Sequence, residues 1–240
     1  MNKLMEKLLT QLVDRLTKAL GGRLVSVVLY GSAAAGEHHA AFSDYNVLAV
    51  VSVLTPRELA AVADAFRWWR EKGSPAPLLL TEQELATSTD CFAIEFHDIK
   101  AHYRILHGRD VIGPLEVDDS FYRAQVEHDL RAKLLRLRQK AAGMLSQPDL
   151  LRRLLVDSLS TFCVLFRHAL HLHGAAAPVR KREIVAAAGL RFGFDAAAFD
   201  KVLDIREQRI KPRQAEPIGL LEGYLAAIDR VIQAVDRLEK

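Results

Sequence analysis

Gly31-Ser32 close an apolar run, Leu24–Tyr30, and after eleven intervening residues Asp44 and Asn46 open a second one that continues to Val51. Glycine lets a backbone approach phosphate oxygens closely, and a serine hydroxyl or amide can donate hydrogen bonds to them. Asp44 supplies a hard carboxylate oxygen of the kind Mg²⁺ prefers. In an extended segment, side chains at positions 44 and 46 leave from the same face, so Asn46 stands beside Asp44. Its amide oxygen can ligate a metal but carries no charge. Together these residues could hold a phosphorylated ligand against a metal ion.

A further acid could complete such a site. The stretch Phe92–Ile99 is apolar with Glu95 and Asp98 inserted, and it reads as a strand. On a strand those two acids face opposite ways, so only one could reach a shared site; Glu95, flanked by Ile94 and Phe96, is the first candidate and Asp98 the second. Glu37 is another acid that could swing in. Arg131, Arg138 and the set Lys133, Arg136 and Lys140 form basic helical stripes that could meet a polyphosphate or be plain solvated faces. His168, His171 and His173 lie near one another, but no HExxH spacing or matching acid accompanies them, so no zinc site is expected.

The elements that would position these residues follow from periodicity. Leu4, Leu8, Leu12, Leu16 and Leu20 mark an amphipathic helix over 3–20, ended by Gly21-Gly22. Leu24–Tyr30 is a buried strand, and the segment from Asp44 is the next. Thr55-Pro56-Arg57-Glu58 predicts a helix start, with a Thr cap, Pro in the first turn and Glu three residues on; that helix runs to about Lys72 and buries Leu59, Val62, Phe66 and Trp69. Leu78–Leu80 reads as a third strand, Thr81–Glu84 as the start of a short helix, and His102–His107 as one more strand. From Ser120 the pattern is helical: 120–145, a segment 149–173 apolar on most faces, 180–188 ending at Gly189, a helix capped by Asp195, and a last one after Pro217. The expected fold class is α+β, a small mixed-sheet α/β domain at 1–115 followed by an all-α helical bundle at 116–240.

Composition narrows the function classes. No apolar run approaches the ~20 residues of a membrane helix, and the N-terminal helix interleaves charges among its leucines, unlike a signal peptide. With Cys91 and Cys163 as the only cysteines and no CxxC pair, a cytoplasmic location with free thiols is expected. Net charge is +3, but residues 121–182 carry 12 Lys/Arg against 4 Asp/Glu. That basic region lacks aromatic interleaving, so nucleic acid is not the expected partner.

The order strand, Gly31-Ser32, short connection, Ser43-Asp44-Tyr45-Asn46 resembles the nucleotidyltransferase superfamily, which includes DNA polymerase beta and the aminoglycoside nucleotidyltransferases; the helical second half is similar to antibiotic adenylyltransferases. The resemblance implies a nucleoside triphosphate, with ATP the expected one, bound with Gly31, Ser32 and Asn46 between the α/β unit and the bundle. It also implies Mg²⁺ at Asp44 and Asn46, catalysis by Asp44 and Glu95, and transfer of a nucleoside monophosphate to a hydroxyl of a small molecule or protein. The family carries an acid where Asn46 stands. One weakly bound Mg²⁺ and attenuated transfer are therefore expected, the alternative being a catalytically silent nucleotide-binding or regulatory module.

Overall fold

The computed structural model describes residues 3–36, 45–175 and 178–238, and the chain forms two compact units, 1–121 and 122–240. In the first unit, α1 (Lys3–Leu20) buries Met5, Leu9, Leu12, Leu16 and Leu20, while Leu4 is exposed. The buried stripe mixes steps of three and four because a strict four-residue repeat drifts around a helix of 3.6 residues per turn. The chain then enters β1 (Leu24–Tyr30), followed by a 3-10 turn at Gly31–Ala33, β2 (Asn46–Val51), α2 (Pro56–Glu71), β3 (Leu78–Thr81), α3 (Glu82–Thr87), α4 (Ala93–Ala101) and β4 (Tyr103–Gly108).

The sheet order is β3-β2-β1-β4, with β1 antiparallel to both β2 and β4 and β2 parallel to β3. The alternation of side chains along the central strands sorts the core into two layers. Val27, Leu29, Val47, Ala49 and Val51 pack with α1 and α2 on one face; Val28, Leu48 and Val50 pack with Leu85 of α3 and Phe96 and Ile99 of α4 on the other. Both central strands read as continuous apolar runs because both of their faces are covered.

The capping box expected at Thr55 is present: Thr55 Oγ1 accepts from Arg57 N, and Glu58 accepts from Thr55 N at 2.9 Å. Glu58 is buried there and pairs with Arg23 at 2.6 Å. Along α2 the buried positions are Glu58, Val62, Ala65 and Trp69, which turns Leu59 to solvent, against the expectation that it is buried. Thr81 and Glu84 make the second capping box, at α3.

The expectation of a strand at Phe92–Ile99 is overturned, since Ala93–Ala101 is the helix α4. A short apolar run fits a strand or a buried helix equally well by periodicity. Tertiary context selects the helix: β1 already has β2 and β4 as neighbours, and the sheet face bearing Val28, Leu48 and Val50 needs an apolar cover, which Phe96 and Ile99 provide.

The second unit contains α5 (Tyr122–Ala142), α6 (Pro148–Leu172), α7 (Lys181–Phe192), α8 (Ala197–Arg206) and α9 (Pro217–Asp236). α6 is its centre and packs against the other four helices, which explains why its sequence is apolar on most faces. α7 runs through Gly189, where its end was expected, and stops at Gly193, whose φ of +71° provides the left-handed cap. The helix expected over 120–145 ends at Ala142, so Leu145 lies beyond it and is exposed.

Candidate functional site

The corner expected to carry chemistry sits where β1 runs out. Gly31 has φ +77°, a left-handed conformation that glycine adopts without penalty, and a Cβ there would meet Asn46 Nδ2 at 3.4 Å. Its N–H donates to His102 O at 2.9 Å, and its carbonyl accepts from the amides of Ala34 and Ala35. The Gly31 amide thus ties the corner to the end of α4 and is not free for a phosphate. Ser32 lies in the 3-10 turn Gly31–Ala33.

Asn46 is the Cα partner of Tyr30 across the β1–β2 ladder. Tyr30 belongs to the layer of Val28, Leu48 and Val50, the face that α4 covers, and strand alternation puts Asn46 on that face too. α4 packs directly on the Gly31–Ala33 turn. On this helix Glu95 and Asp98 are three residues apart, so they share a face instead of opposing each other as a strand would have them. Glu95 is exposed and Asp98 half-buried.

The Tyr30 phenol lies within the field of both acids. Burial raises its pKa above 10.0, and the negative charges of Glu95 and Asp98 raise it further. Tyr30, Asn46 and the two acids therefore gather at one end of the sheet, beside the Gly31-Ser32 corner. Sequence reasoning missed Tyr30 as part of this group. The residue precedes Gly31, but only the β1–β2 register sets it opposite Asn46, and only the helical state of α4 brings both acids toward it.

Tyr45 points the opposite way, into the layer of α1 and α2, with its ring 6.1 Å from that of Trp69. Asp44, the expected metal and catalytic residue, and Glu37 lie outside the described residues. Asn46, Glu95 and Asp98 are all oxygen donors of the hard kind suited to Mg²⁺. No group of three His, Cys, Asp or Glu side chains converges among the described residues, so a cation here would need Asp44 as well.

In the second unit, two of the expected basic side chains serve packing. Arg138 pairs with Asp229 of α9 at 3.0 Å, and Arg131 bonds Glu127 at 2.8 Å and approaches Asp236 at 3.6 Å. His168 is buried with Nδ1 2.6 Å from the Tyr122 hydroxyl, and His173 packs on Phe192. Burial pushes the Cys163 thiol up to about 12, which leaves it inert at neutral pH.

A small mixed sheet followed by a helical unit makes this an α+β fold, and its likeness to a solved structure shows that the fold is nucleotidyltransferase-like. In particular, the chain is similar to a spectinomycin adenyltransferase, AAD(9), from Enterococcus faecialis, whose crystal structure was determined with ATP and spectinomycin. The TM-score is 0.59 at 15% sequence identity, over 95% of this chain and 98% of that one. A toxin-antitoxin structure with AMP-PNP matches 42% of this chain and 73% of that chain at 16% identity, with a TM-score of 0.30 that carries no weight for the fold. No family model matches the sequence. No curated protein matches it either.

Proposed function

We propose that this chain binds a nucleoside triphosphate, ATP being the expected one, at the Gly31-Ser32 corner and transfers a nucleoside monophosphate to a hydroxyl acceptor at an attenuated rate. The observation that carries this reading is the gathering of Asn46, Glu95 and Asp98 around that corner, on a fold similar to that of an adenyltransferase. Because the Gly31 amide is bonded to His102, and the Ala34 and Ala35 amides to the Gly31 carbonyl, a donor to phosphate would come from Ser32.

Mg²⁺ would be held by Asp44 and Asn46 with a carboxylate from α4, and when bound it would neutralise charge on the transferred phosphoryl group. Glu95 is the acid best placed in sequence order to take the acceptor proton; Asp98, on the same face, would restore negative charge that Asn46 does not supply. Titration calorimetry with ATP and Mg²⁺ on the wild type and on Asp44→Ala tests the reading. Micromolar binding that Asp44→Ala weakens supports it, and absence of binding by the wild type removes it.

A second reading, a nucleotide-binding module without catalysis, is favoured by Asn46 itself. Pyrophosphate release separates the two: none from the wild type and a clear signal from Asn46→Asp supports the silent module, whereas wild-type turnover supports the transferase.

A further inference from the structure

In the second unit, the first half of α6, Ile205 of α8 and the segment leading into α9 line an open cleft of about 650 Å³, within the size range of small-molecule sites. Val156, Ile205 and Pro212 supply an aliphatic wall. Four cations, Arg152, Arg153, Lys211 and Arg213, border the same space against one acid, Asp149.

The state of those charges decides what the cavity could take. Arg152 is only 8% exposed; its Nε donates to Ala215 O at 2.8 Å and its Nη1 to Asp149 Oδ1 at 2.9 Å, which spends the one acid in the lining. Glu216 lies near Arg152, but its carboxylate accepts from the Ile218 and Gly219 amides and caps α9. Arg153 approaches Asp157 at 3.8 Å with both side chains well exposed, a weak pair. Lys211 and Arg213 make no ion pair among the described residues. The cavity therefore presents a surplus of positive charge beside an apolar wall.

We propose that this cavity binds a compact organic anion, a phosphate monoester or carboxylate carrying an apolar group. The anion sits between Arg152, Lys211 and Arg213, and the apolar group rests on Val156, Ile205 and Pro212. No aromatic side chain lines the space, which disfavours a polynucleotide. Every residue lining this space belongs to the second unit, whereas the Gly31 corner belongs to the first.

Phenyl phosphate, benzoate and inorganic phosphate, titrated into the full chain and followed by calorimetry and by methyl resonances of Val156 and Ile205, test the proposal. Phenyl phosphate is expected to shift both methyl sets and to bind at least about tenfold more tightly than inorganic phosphate, since only it can use the apolar wall. The surface double variant Lys211→Glu/Arg213→Glu should weaken it at least about tenfold, with an unchanged melting temperature, because a charge-assisted hydrogen bond is replaced by repulsion. The proposal is overturned if phenyl phosphate leaves Val156 and Ile205 unmoved, if its shifts are confined to residues around Gly31, if inorganic phosphate binds as well, or if the double variant binds like the wild type.

Discussion

At the scale of single residues, charge around the corner is what distinguishes a working site from a silent one. In the proposed metal site Asn46 would leave the cation short of one negative charge, which the Asn46→Asp variant would supply beside Gly31. We expect Mg²⁺-dependent ATP affinity to rise by about tenfold or more, in line with about 1.4 kcal/mol or more for an added charged ligand; equal titration curves for the two proteins would refute the metal role of position 46. The pair Glu95 and Asp98 can be tested without any ligand. Both acids raise the Tyr30 pKa, so Glu95→Gln/Asp98→Asn should lower it toward 10.0 while leaving part of the elevation, because burial is the larger cause. Ultraviolet titration of the phenol checks this, and an unmoved pKa would separate α4 from the corner. The corner at Gly31-Ser32 was legible because the pair interrupts an apolar strand; that Gly31 takes a left-handed φ of +77° there is what the structure adds. Tyr30 was not legible, since its place depends on which residue the neighbouring strand sets opposite.

At the scale of elements, local chemistry fixed the helix starts. Thr55 and Glu58 form the box that the sequence announces, and Thr55→Ala should cost about 1 kcal/mol of stability in urea unfolding. The cost should not be much smaller, because Glu58 is buried and would lose both its bond to the Thr55 hydroxyl at 2.5 Å and part of its orientation toward Arg23. β4 ends at a position with no tolerance. Gly108 has φ +76° and a Cβ would lie 2.0 Å from the Val25 carbonyl oxygen, so Gly108→Ala should destabilise by more than about 2 kcal/mol through strain and collision together. A melting temperature equal to the wild type's would contradict that packing. α4 shows where element reasoning failed. Its nine residues bury Ala93, Ile94, Phe96 and Ile99, a set compatible with strand or helix until the uncovered sheet face chooses.

At the scale of the whole molecule, acid should act on the two units over different pH windows. Glu58, Glu84, Asp110 and Asp118 in the first unit all have pKa values held below their ordinary 4.5 or 3.8, chiefly by hydrogen bonds from Thr55, Thr81, Gly113 and Ser120. A carboxyl whose folded pKa lies below its unfolded one binds fewer protons in the native state. Its stabilisation is complete above the unfolded value and lost as pH falls through the folded one. In the second unit His173 has a pKa below 6.5, from burial first and then Arg191, so the folded state there also binds fewer protons and loses stability as pH falls from about 6.5 downward. Urea unfolding from pH 7.5 to 3 should show residues 122–240 weakening first and 1–121 only below about pH 4.5; His173→Asn should remove the upper window, and an unchanged profile would contradict it.

What the sequence determined by itself was whatever depends on near neighbours along the chain: the capped helices, the two buried central strands, the Gly-Ser break between them and the change to an all-helical second half. These follow from propensity and periodicity, which act over a few residues. Tertiary structure decided the rest. It made 92–99 a helix, which turned Glu95 and Asp98 from alternatives into companions, and it set Tyr30 opposite Asn46. It also joined Arg152 to Lys211 and Arg213 around one cavity. Each depends on which surfaces remain to be covered once the sheet and bundle have formed, a long-range condition that no local spacing encodes.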